Sequence, residues 1–156
     1  MKNNRFLLAV CIAVPLLIGG LSALLSGGGM QDFAMLEKPP LSPPGWLFPV
    51  VWTVLYVLMG IASYLVLSSQ ADSIEIQRAL SVYFYQLLVN FLWPVFFFDF
   101  GWYLFSFFWL LLLWALIVVT IRRFWQISRP AAYLMVPYLL WVTFAGYLNL
   151  GIWRLN

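Results

Sequence analysis

The chain has 156 residues, of which 65% are hydrophobic and only 8% are charged. A soluble domain is roughly 25% charged because its surface has to be solvated, so this composition excludes a soluble globular protein and indicates a lipid-facing surface. The net charge of +3 comes from scattered cations rather than from a basic run, which argues against a nucleic-acid partner. With no His and a single Cys, metal clusters of His and Cys, haem ligation by His and intrachain disulfides are excluded.

Five apolar stretches are each long enough to cross a bilayer core, which takes about 20 residues of helix. In chain order they cover approximately residues 6–25, 46–67, 79–98, 102–121 and 131–152. The first stretch is too long for the hydrophobic part of a signal peptide, so we expect it to remain as a helix. We therefore predict an all-α integral membrane protein, a single bundle of five transmembrane helices forming one domain over residues 1–156.

The connection between the first two stretches, residues 26–45, is the longest and the most unusual. It contains three consecutive glycines at 27–29 and the proline-rich run PPLSPP at 39–44. Because prolines fix φ and pre-order a loop, this segment is predicted to form a lid over the bundle rather than a flexible tether.

The cations are distributed unevenly between the two sides of a five-helix bundle. Six of them fall on the side of the N-terminus: Lys2, Arg5, Arg78, Arg122, Arg123 and Arg129. The other side has only Lys38 and Arg154. The positive-inside rule then predicts a cytoplasmic N-terminus, with the proline-rich loop and the C-terminus outside. Nothing resembles an Arg-rich and Ser-rich transit segment, so we expect the cytoplasmic membrane of a bacterium.

Polar and small residues recur at helical spacing inside three of the stretches, and polar groups in hydrocarbon normally face the interior of a bundle. The three faces are Trp52, Tyr56, Gly60 and Ser63; Gln86, Asn90, Trp93 and Phe97; and Trp141, Ala145, Leu148 and Asn149. One interpretation is a cavity walled by aromatic rings, with Asn90 and Asn149 as hydrogen-bonding points, suited to a large flat apolar ligand. The other is plain helix–helix contact, with amides bonded across helices and small residues allowing close approach.

Two tryptophans and two prolines allow more specific expectations. Trp52 and Trp141 lie on the polar faces and two or three turns inside their helices, so we predict that they point inward and face one another across the cavity. Pro94 and Pro137 are expected to kink their helices. The stretches contain no Ser-His-Asp set, no Cys-His pair and no carboxylate pair, so hydrolytic and metal-assisted chemistry lack candidate residues and no metal site is predicted.

Ordered motifs run through nearly the whole chain. They are LEKP at 36–39, PPGWLFPVVWTVLY at 43–56, MGIA at 59–62, QxxxNxxWP at 86–94, and PYLLW at 137–141 followed by FA at 144–145 and LN at 148–149. These motifs resemble those of the translocator protein family, also called the TspO/MBR family or tryptophan-rich sensory proteins. The fourth stretch is the least distinctive part of the resemblance.

The resemblance implies a receptor- or sensor-type membrane protein, commonly a homodimer, with a ligand pocket among the helices. The family's ligands are tetrapyrroles such as protoporphyrin IX and hydrophobic benzodiazepine-site compounds, and no cofactor is required. Carried over residue by residue, the expected pocket residues are Ala23, Phe33, Pro43, Trp46, Trp52, Tyr56, Asn90, Trp93, Trp141, Ala145, Leu148 and Asn149. Phe33 and Leu41 replace a Tyr and a Trp that family members often carry, and the change at Phe33 removes a phenol from the expected ligand contacts.

Two alternative functions remain open. One is light-dependent breakdown of protoporphyrin IX, for which the resemblance implies Trp52 and Trp141 as the catalytic, oxidised partners. The other is a small transporter of porphyrins or lipids. Transporters usually carry broken helix pairs or ionisable groups inside the membrane, and these five stretches contain almost none, which disfavours transport.

Overall fold

The computed structural model of the protein describes residues 4–27 and 34–156. In these residues it contains the long helices α1 (Arg5–Ser26), α2 (Leu47–Leu67), α3 (Ser73–Pro94), α4 (Tyr103–Ile127) and α5 (Arg129–Leu155). A short π-helical segment, Val95–Asp99, continues α3. Each of the five helices, α3 with its π-helical extension, is long and apolar enough to cross a membrane. The predicted all-α membrane bundle of five helices is therefore confirmed.

Two helices extend well beyond the apolar stretches that predicted them. The third helix starts at Ser73 rather than near 79, and the fourth continues to Ile127 rather than ending near 121. The added turns are polar and include Arg122 and Arg123. Hydropathy marks only the residues that lie in hydrocarbon, whereas a helix continues into the headgroup region, where charged side chains are solvated.

The helices form a ring in the order α1, α2, α5, α4 and α3, and α3 closes the ring against α1. Gly60 marks a close approach of α1 and α2, because a Cβ atom at this position would overlap the backbone of Cys11 and Ile12. Gly60 is therefore a helix-contact residue, as the second interpretation of its polar face predicted.

The two ends of the ring differ in packing. At the end where α2 leads to α3 and α4 leads to α5, which we call the arginine end, large side chains are almost completely buried. Tyr83, Phe124 and Met135 are 1%, 0% and 0% exposed. The opposite end, where α1 leads to α2 and α3 leads to α4, is called the lid end, and it contains a cavity.

The lid segment, residues 34–45, is attached to the end of α5. The side chain of Asn156 donates from Nδ2 to the carbonyl of Glu37 at 2.8 Å and accepts from the Glu37 N–H at 3.2 Å. Tyr147 Oη donates to the carbonyl of Pro40 at 2.6 Å. These bonds hold residues 34–45 against the bundle.

Candidate functional site

A partly open cavity of about 320 Å³ lies at the lid end, at the lower limit of the roughly 300–1,000 Å³ typical of small-molecule sites. Its walls come from α1, α2, α3, the π-helical segment and α5, and Ser42 contributes from the lid segment. Nine of the twelve predicted pocket residues line it: Ala23, Trp52, Tyr56, Asn90, Trp93, Trp141, Ala145, Leu148 and Asn149. The faces predicted on the second, third and fifth helices therefore meet at one space.

The other three predicted pocket residues do not line the cavity or cannot be placed. Trp46 immediately precedes α2 and is 67% exposed. Trp46 and Trp52 are not on the same face of the helix, so Trp46 points outward where Trp52 points inward. Pro43 is half-buried in the lid segment, and its neighbour Ser42 reaches the cavity instead. Phe33 lies outside the described residues.

The sequence analysis missed most of the wall that α1 contributes. Gly19, Ser22 and Ser26 line the cavity together with Ala23. Their three- and four-residue spacing was a usable signal, since it places all four on one helical face. Gly19 has a specific role, because a Cβ atom there would overlap the ring of Tyr56. The glycine makes room for that phenol in the cavity wall.

Trp52 and Trp141 are in contact in the cavity wall. Their ring centroids are 6.5 Å apart with an interplanar angle of 88°, and Trp52 also stacks on Tyr56 with centroids 5.6 Å apart. Both indoles point inward, as predicted. The prediction that they face one another across the cavity is wrong, because a flat ligand between them would need about 3.5 Å of space on each side. A ligand can lie against this pair but not between its members.

A second aromatic wall forms where α3 passes into the π-helical segment Val95–Asp99. Trp93 stacks on Phe97 with ring centroids 4.9 Å apart, and it meets Phe98 edge-on at 5.9 Å. Pro94 stands at the change of helical type and has no N–H to donate to the preceding turn. The extra residue in each π-helical turn brings both phenylalanines onto the cavity, and π-helical turns are frequent at functional sites.

A chain of hydrogen bonds joins the cavity to the core behind it. Tyr56 Oη donates to Asn90 Oδ1 at 3.3 Å, and Asn90 Nδ2 donates to Tyr138 Oη at 2.8 Å. Tyr138 Oη in turn donates to Gln86 Oε1 at 2.6 Å. These groups link α2, α3 and α5, so the Asn90 amide lines the cavity and also bonds across helices.

The second asparagine of the cavity has the same double role. Trp93 Nε1 donates to Asn149 Oδ1 at 3.0 Å, and Asn149 Nδ2 donates to the carbonyl of Tyr103 at 2.7 Å. Asn149 thereby joins α3, α4 and α5. The two interpretations of these amides, cavity lining and helix contact, are not alternatives, since each amide does both.

The indole N–H of Trp141 differs from that of Trp93 in its hydrogen bonding. The Nε1 atom of Trp141 is buried and has no hydrogen-bond partner in the structure. A buried donor without a partner costs about 1–3 kcal/mol, so native structures normally satisfy it. The indole of Trp141 lines the cavity, but its Nε1 atom is buried, so an acceptor in the cavity reaches this donor only when the ring turns within the wall.

The chain matches the family model described as the TspO/MBR family over residues 11–154. The chain belongs to the TspO/MBR family. It is 38% identical to the tryptophan-rich protein TspO of Chlorobaculum tepidum, over 100% of this chain and 99% of that protein. It is 36% identical to protein CrtK of Rhodobacter capsulatus, over 96% and 92% of the two chains, and 38% identical to the translocator protein of Bos taurus, over 92% and 86%.

Membership in the TspO/MBR family agrees with the five spans and supports a sensor- or receptor-type role for a multi-pass membrane protein. Among the described residues, those that line the cavity include no Asp, Glu, Lys, Arg or His. Across residues 4–27 and 34–156, no group of three or more potential metal ligands occurs. What the TspO/MBR cavity offers a ligand is aromatic surface and a few amide and hydroxyl groups.

Proposed function

We propose that the protein is a membrane receptor or sensor whose lid-end cavity binds tetrapyrroles such as protoporphyrin IX and smaller hydrophobic ligands of the benzodiazepine-site class. The observation that carries the proposal is a cavity walled by the aromatic rings of Trp52, Trp93, Phe97 and Trp141. Family membership is consistent with it.

The first support is the shape of the aromatic surface. The wall at Trp52 and Trp141 and the wall at Trp93 and Phe97 both expose rings to the same space. A flat aromatic ligand gains roughly 0.5–1.5 kcal/mol per ring contact beyond the burial of its surface. The cavity of about 320 Å³ is small for a complete tetrapyrrole, so we expect such a ligand to extend through the open side.

The second support is the hydrogen bonding of the polar groups in the cavity wall. The amides of Asn90 and Asn149 each already donate one hydrogen bond, to Tyr138 Oη and to the Tyr103 carbonyl. Trp141 Nε1 has no partner among the described residues, and we expect a ligand acceptor to satisfy it once the indole turns toward the cavity. We therefore expect ligands with a carbonyl or carboxyl acceptor to bind more tightly than ligands of the same shape without one. No cationic side chain lines the cavity within residues 4–27 and 34–156, so ionised carboxylates should stay near its open side.

The test is a titration of the purified protein with protoporphyrin IX in the dark, followed by quenching of Trp fluorescence. Trp52→Phe and Trp141→Phe should each reduce the quenching and weaken binding by less than about tenfold, since each removes one aromatic contact. Trp125→Phe is the matched control, because Trp125 is 41% exposed at the arginine end and does not line the cavity. Absence of saturable quenching, or equal losses in all three variants, would remove the proposed site.

Light-dependent breakdown of protoporphyrin IX is a second candidate function. The observation in its favour is that two oxidisable rings, Trp52 and Tyr56, stack on one another in the cavity wall, and that Trp141 touches Trp52. Illumination of the bound porphyrin would then bleach it more slowly in Trp52→Phe and Trp141→Phe than their loss of affinity explains. Equal bleaching in wild type, variants and empty detergent micelles would leave a binding protein without this activity.

We also propose that the arginine end faces the cytoplasm of a bacterium and that the lid end faces outward. The support is the excess of arginines at one end of the bundle, described above. An alkaline phosphatase fused after Asn156 should be active, whereas a fluorescent protein fused there should stay dark. The reverse pattern would invert the orientation.

A further inference from the structure

The arginine end carries a group of exposed residues that the cavity does not use. We call it the arginine–aromatic cluster, and it consists of Arg122, Trp125, Arg129 and Tyr133. The guanidinium carbon of Arg129 lies 4.9 Å from the centroid of the Trp125 ring. Tyr133 meets the same ring edge-on, with centroids 5.4 Å apart. Arg122 lies three residues before Trp125 on α4 and therefore shares its helical face.

The cluster is open at the surface. Trp125 is 41% exposed and Tyr133 is 63% exposed, and both arginines are exposed as well. Trp and Tyr at the ends of membrane helices typically lie at the depth of the lipid headgroups. The cluster therefore occupies the depth at which a headgroup phosphate would be found.

The hydrogen-bond donors of the two arginines are uncommitted. Across residues 4–27 and 34–156, neither Arg122 nor Arg129 forms an ion pair or a hydrogen bond with another side chain or carbonyl through its guanidinium. The guanidinium of Arg129 lies over the ring of Trp125, a contact that does not occupy its N–H groups with an acceptor atom. The ring thus holds Arg129 at the surface while its donors stay available.

The local charge favours an anion. Among the described residues, the acidic side chains Asp72 and Glu75 belong to the other connection at this end of the bundle, where Glu75 lies 3.8 Å from Arg78. The cluster also adjoins the N-terminus of α5, whose helix dipole adds partial positive charge. Guanidinium groups bind phosphate through paired hydrogen bonds, and basic sites at membrane-helix ends bind anionic headgroups.

We propose that the arginine–aromatic cluster binds the phosphate of an anionic glycerophospholipid. A sterol is the main competitor, because Arg129, Tyr133 and Val136 have the spacing of a reported sterol pattern. A sterol hydroxyl is neutral and would leave two guanidinium charges uncompensated. A lipid phosphate brings one negative charge and several acceptor oxygens that both guanidinium groups can share, and the acyl chains of the lipid lie along the apolar surface of the helices.

The experiment measures retention of lipid by native mass spectrometry on the detergent-purified full chain. Short-chain phosphatidylglycerol is compared with phosphatidylcholine of the same chain length, and wild type should retain the anionic lipid preferentially. Arg122→Gln and Arg129→Gln should each weaken that retention about fivefold, the effect of one arginine near a headgroup. Arg129→Lys keeps the charge but loses the planar donors, so it should also lose several-fold.

Arg78→Gln is the matched control, since it removes one charge at the same end of the bundle from a residue that already pairs with Glu75. Equal losses in Arg78→Gln and Arg129→Gln would show general electrostatic attraction and overturn the proposal. So would wild-type retention in Arg129→Lys, displacement of the lipid by millimolar inorganic phosphate, or displacement by cholesterol. Unchanged melting of each variant without lipid confirms that the variants fold.

Discussion

The lid end and the arginine end are built from the same five helices, yet one is hollow and the other is filled. At the arginine end, the small residues Ala79, Ala131 and Ala132 let the helices approach, and Tyr83 and Phe124 fill the remaining space. At the lid end, two walls of aromatic rings leave a cavity between them. Because lipid is as apolar as a helix surface, close packing rather than hydrophobicity holds such helices together.

Because the helices at the lid end are not closely packed around the cavity, they need other stabilising contacts. Hydrogen bonds between helices provide them. The chain from Tyr56 through Asn90 and Tyr138 to Gln86 lies between the cavity and the packed core. Asn149 on α5 adds one bond with α3 and one with α4. The difference between the ends shows how a bundle can combine an open ligand site with stability, by placing polar links around the cavity and tight packing elsewhere.

The largest expected effect is the loss of a packed side chain at the filled end. Ile117 is 0% exposed, so Ile117→Ala should destabilise the protein by about 2–5 kcal/mol, through lost contacts and a new cavity. Ile152→Ala makes the same change beside the existing cavity and should cost less than half as much. Denaturation in detergent with rising SDS measures both, and equal costs would contradict the distinction between the two ends.

A somewhat smaller effect is expected at the contact between α1 and α2. Gly60→Ala places a methyl group against the backbone of Ile12, which cannot move aside as a side chain can, so we expect a loss of about 1–3 kcal/mol. Gly20→Ala is the control, because no atom lies within 4 Å of the added group. A melting temperature in Gly60→Ala that matches the control would show that the helices are not packed as described.

The polar links are tested by two tyrosines that are equally buried. Tyr138→Phe removes the hydroxyl that joins Asn90 to Gln86, and leaving these groups unpaired should cost about 1–3 kcal/mol. Tyr83→Phe removes a buried hydroxyl that makes no hydrogen bond of ordinary geometry among the described residues and interacts only weakly with Ser63, so it should cost less stability than Tyr138→Phe. Thermal melting in detergent separates the two outcomes. A larger loss in Tyr83→Phe would mean that the links have been assigned to the wrong residues.

The smallest effects concern the two cavity indoles. Trp93→Phe breaks the bond to Asn149 Oδ1 and should lower stability by about 0.5–1.5 kcal/mol. Trp141→Phe removes a donor without a partner, so it should leave the ligand-free protein as stable as wild type while weakening the binding of ligands that carry an acceptor. Both quantities come from melting curves with and without ligand. Destabilisation of the free protein by Trp141→Phe would show that its N–H is already satisfied.

Much of the fold could be predicted from the sequence, because hydropathy and helical spacing depend only on residues that are close together in the chain. The five spans and the inward faces of Trp52, Asn90 and Asn149 needed only these two properties. Helix ends such as Ser73 and Ile127 were not predictable, since helices continue past the hydrocarbon boundary that hydropathy detects.

The details of the site depend on interactions between helices, which spacing alone does not encode. The edge-on contact of Trp52 with Trp141 requires the relative rotation of α2 and α5. The π-helical segment after Pro94 brings Phe98 onto the cavity, and a proline predicts only a disturbance of the helix. The pairing of Trp93 with Asn149, which leaves Trp141 unpaired, is likewise a product of the assembled bundle.

The most direct test of the proposed site is an NMR measurement of the indole N–H signals in protein labelled with ¹⁵N-tryptophan. Single Trp→Phe variants assign the signals of Trp141, Trp52, Trp114 and Trp125. Addition of protoporphyrin IX in the dark should shift the signals of Trp141 and Trp52, and it should leave those of Trp114 and Trp125 unchanged, since neither lines the cavity. A saturable shift confined to Trp114 or Trp125, with Trp141 unmoved, would contradict the assignment of the lid-end cavity as the ligand site.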